Sequence, residues 1–130
     1  MQCPPSDHYG DMNDPPERRP WGEFTVLSDA PDHKVKRITV SSGCRLSYQT
    51  HAHRSEHWFV VSGAGIATID GVDRQIGPSS CVDVSVGTAH RVACSGPADL
   101  VLIEVQHGDS FEEDDIVRLD DDYGRMAPVR

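Results

Sequence analysis

Ten consecutive residues, Gln49-Thr50-His51-Ala52-His53-Arg54-Ser55-Glu56-His57-Trp58, hold three of the seven histidines beside a glutamate and an arginine. Alternate side chains of a strand share a face, so Arg45, Ser47, Gln49, His51 and His53 are predicted to point one way and Leu46, Tyr48 and Thr50 the other. A polar file inside a small β protein is costly unless each group is satisfied, and a bound cation with its waters would satisfy it. Imidazoles at i and i+2 can converge on one ion, and Glu56, after a short turn, can return a carboxylate to the same point. His90, in Gly87-Thr88-Ala89-His90, is the candidate third imidazole. The predicted ligand set is His51, His53, Glu56 and His90. Such a mixed nitrogen and oxygen set suits a divalent Zn, Mn, Co, Ni or Fe ion with positions left for water or substrate. His57 has the wrong parity to join Glu56 and reads as a group beside the ligands or facing substrate. Trp58 shares the inward side of Glu56, where it either lines the core wall or offers a face to a sugar.

The elements that must position these groups are short strands. The runs 24–27, 34–40, 45–53, 56–61, 64–69, 72–76, 81–86, 88–94 and 99–106 favour β-branched and aromatic residues and are separated by turn residues. Asp70-Gly71 is the preferred chemistry of a tight hairpin. Strands at this spacing, with no amphipathic segment of helical length between them, predict an all-β sandwich or small barrel. Residues 1–20 carry five of the nine prolines and read as a flexible arm; 21–110 read as the barrel. Residues 111–130 form an acidic segment pinned on the barrel by Ile116, Val117, Leu119 and Tyr123. Ser110 stands where it could cap a short helix. The tail carboxylates lack the spacing of a calcium loop.

Composition bounds the function. The 130 residues hold 12 Lys and Arg against 21 Asp and Glu, a net charge of −9, which excludes a general nucleic-acid binder. No apolar run is long enough to span a membrane, and the polar N-terminus lacks a secretory signal, so a soluble cytoplasmic protein is expected. Cys3, Cys44, Cys81 and Cys94 form no C-x-x-C pair and read as free thiols.

The residues also carry a resemblance. His51-x-His53, Glu56 and Gly63 resemble the first motif of the cupins, though the interval from His53 to Glu56 is short for it. Gly77 through Gly87 and His90 resemble the second motif, with Ser85 in place of the usual proline and Cys94 in place of asparagine. Arg19-Pro20-Trp21-Gly22, Arg45-Leu46-Ser47-Tyr48-Gln49, His53-Arg54-Ser55-Glu56-His57-Trp58, Glu113-Asp114-Asp115-Ile116-Val117-Arg118 and Asp122-Tyr123-Gly124-Arg125 are similar to the type II mannose-6-phosphate isomerase cupin. The resemblance implies a double-stranded β-helix, or jelly-roll barrel, with a divalent metal in its mouth, assembled as a homodimer. It also implies a free-standing cupin without the nucleotidyltransferase domain that commonly precedes it.

The implied activity is a metal-dependent aldose–ketose isomerisation of a phosphorylated sugar. The alternatives are another metal-dependent cupin enzyme (dioxygenase, lyase or epimerase) or a non-catalytic sugar-binding module. Isomerisation needs a base to move a proton between adjacent carbons, and Glu104, Lys36 and His57 are the candidates. Substrate binding falls to Gln49 and Trp58 and to the cations Arg45, Arg54, Arg118 and Arg125, since a guanidinium fork suits a phosphate.

Overall fold

The computed structural model describes residues 15–126, and every regular element in them is a strand. In chain order these are β1 (Glu17–Arg19), β2 (Gly22–Asp29), β3 (His33–Val40), β4 (Tyr48–Thr50), β5 (Arg54–Ser62), β6 (Gly65–Ile69), β7 (Val72–Ile76), β8 (Cys81–Val84), β9 (His90–Cys94), β10 (Leu100–Gly108) and β11 (Val117–Asp120). They form two antiparallel sheets, one ordered β1-β2-β3-β10-β5-β8 and the other β11-β4-β9-β6-β7. The all-β expectation and most strand positions hold. Asp70 and Gly71 both take positive φ in the β6–β7 hairpin, the backbone that a two-residue turn of this hand requires.

Register explains why one end of the barrel is dry and the other polar. Across β10, Leu100 faces Val40 and Leu102 lies between Ile38 and Val60. Further along the same inward file, Glu104 lies between Lys36 and Trp58, and Gln106 faces Glu56. The inward residues thus change from aliphatic to ionisable along three neighbouring strands at one level. The apolar half packs with Trp21, Phe24, Val82, Val84, Val92 and Cys94 into a single core. Gly63, at φ 89°, makes the β5–β6 turn, and a Cβ there would collide with the backbone of Asp99.

Three sequence expectations change. Residues 17–19, read as arm, pair with β2 as β1, whereas the arm's first 14 residues lie outside those described. The strand over 45–53 shortens to β4, because Arg45 makes only an isolated bridge to Ala93 and the chain bends at Ala52 and His53. No helix starts at Ser110. Its hydroxyl accepts from the Glu112 amide at 3.5 Å, one turn closes from Asp115 to Glu112, and the chain then extends into β11 against β4. Among the described residues no helix is long and apolar enough to cross a membrane.

Candidate metal centre and substrate cavity

His51, Glu56 and His90 bring their ligand atoms within 4.8 Å of one another, and all three are buried. They come from the bend after β4, from β5 and from the start of β9. His51 Nε2 lies 3.1 Å from Glu56 Oε2, and His90 Nε2 lies 3.6 Å from Glu56 Oε1. Each ring is fixed from behind. His51 Nδ1 donates to the Asp115 carbonyl at 2.6 Å, and His90 Nδ1 donates to the Thr88 carbonyl at 2.8 Å. A carbonyl can only accept, so each Nδ1 donates there and each Nε2 is left facing Glu56. His90 Nε2 is buried and has no hydrogen-bond partner.

Electrostatics keep the cluster ready for a cation. Burial alone would raise the Glu56 carboxyl, but His51, His90 and Arg54 outweigh it and hold the group well below the usual carboxylate range. Burial pushes His90 down despite the opposing Glu56 charge, which favours the neutral imidazole that a metal requires. Two imidazole nitrogens and a carboxylate converge in a buried site. That donor set fits a borderline divalent cation.

His53 does not join them. The bend after His51 turns its side chain outward, where it is 55% exposed and pairs with Asp109 at 3.3 Å. The inward pair is instead Gln49 and His51, whose Nε2 atoms are 3.2 Å apart. Gln49 Oε1 accepts from buried Ser47 at 2.7 Å. This register accounts for the short interval between His53 and Glu56. The predicted alternation holds through His51 and fails one step later.

Asp115 makes the bend, and sequence reasoning missed it. Its two carboxylate oxygens accept from the Ala52 and His53 amides, each at 2.9 Å, while its carbonyl holds His51. Burial would raise its pKa, but the two amides outweigh burial and hold it below the usual range. Close approach of β10 helps, since a Cβ on Gly108 would strike the His53 carbonyl.

The other predicted residues divide. Arg54 is the first residue of β5 rather than a turn residue. It is buried, donates from Nε to Glu56 Oε2 at 3.1 Å and approaches His51 Nε2 from Nη2 at 3.3 Å. Trp58 is buried and donates to Glu56 Oε1 at 3.0 Å, so it orients the carboxylate from the wall and offers no sugar platform. His57 points out of the sheet to Asp83 and is 46% exposed, which removes it from the cavity. Arg45 is likewise outside, gripped by Asp122 through two hydrogen bonds of 2.7 and 2.9 Å.

Glu104 and Lys36 remain inside. Glu104 is pushed up to about 8, first by burial and then by the Glu56 charge, with Lys36 opposing. Lys36 bonds Glu113 at 2.7 Å and stands 4.2 Å above the Phe24 ring. A cavity joins these groups to the exterior, and Gln49, His51, Arg54, Lys36, Glu104, Arg118 and Arg125 line it.

A two-sheet antiparallel barrel with His, Glu and His gathered at its polar end defines the cupin double-stranded β-helix. Solved structures agree on the fold. The capsular polysaccharide assembling protein CapF of Staphylococcus aureus superposes with a TM-score of 0.72 at 22% identity, over 81% of this chain and 34% of that one. KdgF from Halomonas sp. superposes at 0.72 and 16% identity, over 85% and 98%. Residues 13–121 match the Mannose-6-phosphate isomerase C-terminal family, and the chain belongs to that family. Among curated proteins it is 44% identical to the mannose-1-phosphate guanylyltransferase of Escherichia coli K12 over 108 residues, 83% of this chain. It is 43% identical to the alginate biosynthesis protein AlgA of Pseudomonas aeruginosa over 109 residues, 84% of this chain. The chain spans only 23% of the length of either relative.

Proposed function

We propose that this cupin is a metal-dependent aldose–ketose isomerase acting on a phosphorylated hexose, of the mannose 6-phosphate type. The observation that carries the metal dependence is the pair of imidazole Nε2 atoms gathered on one buried carboxylate, with His90 Nε2 left without a partner. His51, Glu56 and His90 would hold the ion, with the Gln49 amide nitrogen beside His51 Nε2. A bound divalent cation supplies Lewis-acid polarisation of the substrate's carbonyl and hydroxyl oxygens. The family match supports the reaction class and the sugar-phosphate substrate.

The protein's own residues supply proton movement. Glu104 is the base. Its carboxyl, raised to about 8, can take a proton from one carbon and return it to the neighbouring one near neutral pH. Lys36 faces Glu104 across the β3–β10 pair. Gln106 Nε2 donates to Glu104 Oε1 and fixes the carboxylate plane. Gln49 and Arg54 line the substrate's side of the cavity. A homodimer remains part of the proposal, supported by Phe59 and Val61, which are 42% and 46% exposed on the outer face of β5.

The test is a coupled assay for conversion of mannose 6-phosphate to fructose 6-phosphate, run with Zn, Mn, Co, Ni and Fe in turn. Turnover with at least one metal, lost in Glu104→Gln, is expected. No turnover with any of them overturns the isomerase reading, and oxygen uptake with iron would place the site among the dioxygenases instead.

A further inference from the structure

Residues 109–116, between β10 and β11, form one wall of the cavity through Glu113 and Ile116. None of them belongs to the hydrophobic core, and polar contacts fasten the segment. Both of its ends are tied to one residue. The Asp109 amide donates to the His53 carbonyl at 3.2 Å, and the Asp115 carboxylate accepts from the His53 amide at 2.9 Å. Its middle reaches the opposite wall, where Lys36 Nζ donates to Glu113 Oε1 at 2.7 Å. Among the described residues this is the one ion pair that joins the segment to β3.

The pair is built unequally. The Lys36 side chain is 6% exposed and that of Glu113 52%. Burial raises the Glu113 carboxyl, but Lys36, then Lys34 and Arg54, outweigh it and hold the group below the usual carboxylate range. When the pair opens, water can take the Glu113 carboxylate, while the Phe24 ring, 4.2 Å from Lys36 Nζ, still faces the ammonium. Each partner keeps company in the open state. A segment without core contacts, held across a cavity by one half-exposed ion pair, is drawn from the part of a fold that opens most easily.

The same segment grips the candidate metal centre. Two residues past Glu113, the Asp115 carbonyl accepts from His51 Nδ1 at 2.6 Å, and the Asp115 carboxylate takes the two amides that follow His51. Glu113 and Asp115 are bound into one turn, because the Asp115 amide donates to the Glu112 carbonyl at 3.1 Å. With a cation on Nε2, the His51 ring becomes a stronger donor at Nδ1, and that bond ends on this segment.

We infer that residues 109–116 are a strap across the cavity, latched by Lys36 and Glu113 and drawn shut when a divalent cation binds at His51, Glu56 and His90. Closure and cation binding are linked, and each favours the other by the same factor. The open strap admits a ligand to the cavity, and the closed strap encloses it beside Glu104, which lines the same space. The inference rests on the metal reading of the site and adds a moving part to it.

Hydrogen exchange of the full chain, read by mass spectrometry with and without Co(II), tests the linkage without turnover. In the parent, Co(II) should slow exchange of the peptide spanning 109–116 by about fivefold or more. In the metal-free protein, Glu113→Gln should speed exchange of that peptide by about tenfold, the scale of one lost charge-assisted bond. The same variant should weaken Co(II) binding by about threefold to tenfold in a titration followed by visible absorption. Asp114→Asn removes an equal charge from an exposed neighbour and should match the parent in both measurements. Equal weakening in Asp114→Asn and Glu113→Gln would be an effect of charge alone and overturns the latch. Co(II) that binds the buried cluster without slowing exchange over 109–116 overturns the strap and leaves the metal centre standing, whereas no Co(II) binding removes the metal reading and the linkage together. The measurement on the parent holds whether or not Glu113→Gln folds.

Discussion

Replacing Asp115 with alanine separates positioning of the metal site from stability of the barrel. The carboxylate makes two hydrogen bonds of 2.9 Å to the Ala52 and His53 amides, which fix that bend. Ala52 and His53 are exposed, so water can satisfy both amides in the variant. The stability cost should therefore be only about 1–2 kcal/mol, below the sum for two charge-assisted bonds. The larger effect falls on His51, whose Nδ1 is oriented by the carbonyl of the same Asp115 at 2.6 Å. Alanine keeps that carbonyl but releases the side-chain anchors that place it; complete loss of such a partner costs about tenfold to a hundredfold in metal affinity, or about 1.4–2.8 kcal/mol, which is the upper bound here. Titration with Co(II), followed by its visible absorption, reads this directly. Asp115→Asn, with one oxygen in place of two, should fall between. Parent-like cobalt affinity in a folded Asp115→Ala protein would mean that the barrel wall alone orients His51, contrary to the geometry described.

Other outcomes follow from the same contacts. His51→Ala and His90→Ala should lose metal retention in a folded barrel, whereas His53→Ala should keep it, as measured by metal content after dialysis; loss in His53→Ala would return that residue to the ligand set. Asp121 is held at about 2, chiefly by its bonds to Arg125, against about 3.9 in an unfolded chain. A depressed carboxyl stabilises above its unfolded pKa, so docking of residues 121–125 should persist above about pH 4 and weaken as the pH falls toward 2. Amide exchange at Arg125 checks this, and uniform protection down to pH 2 would contradict it. Phe59→Asp should convert the expected dimer to a monomer in light scattering, and an unchanged dimer would place the interface elsewhere.

The strands were legible because hydrophobic alternation and turn chemistry act over a few residues. Val72–Ile76 and the Asp70-Gly71 hairpin needed only local information. Glu56 and His90 were legible as members of the buried cluster because each begins or follows the inward parity of its own strand. His53 was not, because the bend that expels it is made by Asp115, 62 positions downstream, and a period-two pattern contains no sign of that contact. The parity of His57 was legible, and only its substrate-facing role was misplaced. Its position beside Glu56 in sequence puts it on the opposite face of β5, against Asp83 of the neighbouring strand. Arg45 shared the polar parity of Gln49, yet the tail carboxylate of Asp122 captured it outside. Arg19 was hidden because a proline-rich segment shows no period, and its strand exists only through pairing with β2. Long-range partners decided what the local pattern left open.

Anomalous diffraction from crystals soaked in Co(II) tests the central claim most directly. A single strong peak bounded by His51 Nε2, the Glu56 carboxylate and His90 Nε2 is the predicted result. A peak at His53 and Asp109 or among the carboxylates of 112–115, with the buried cluster left empty, would contradict it.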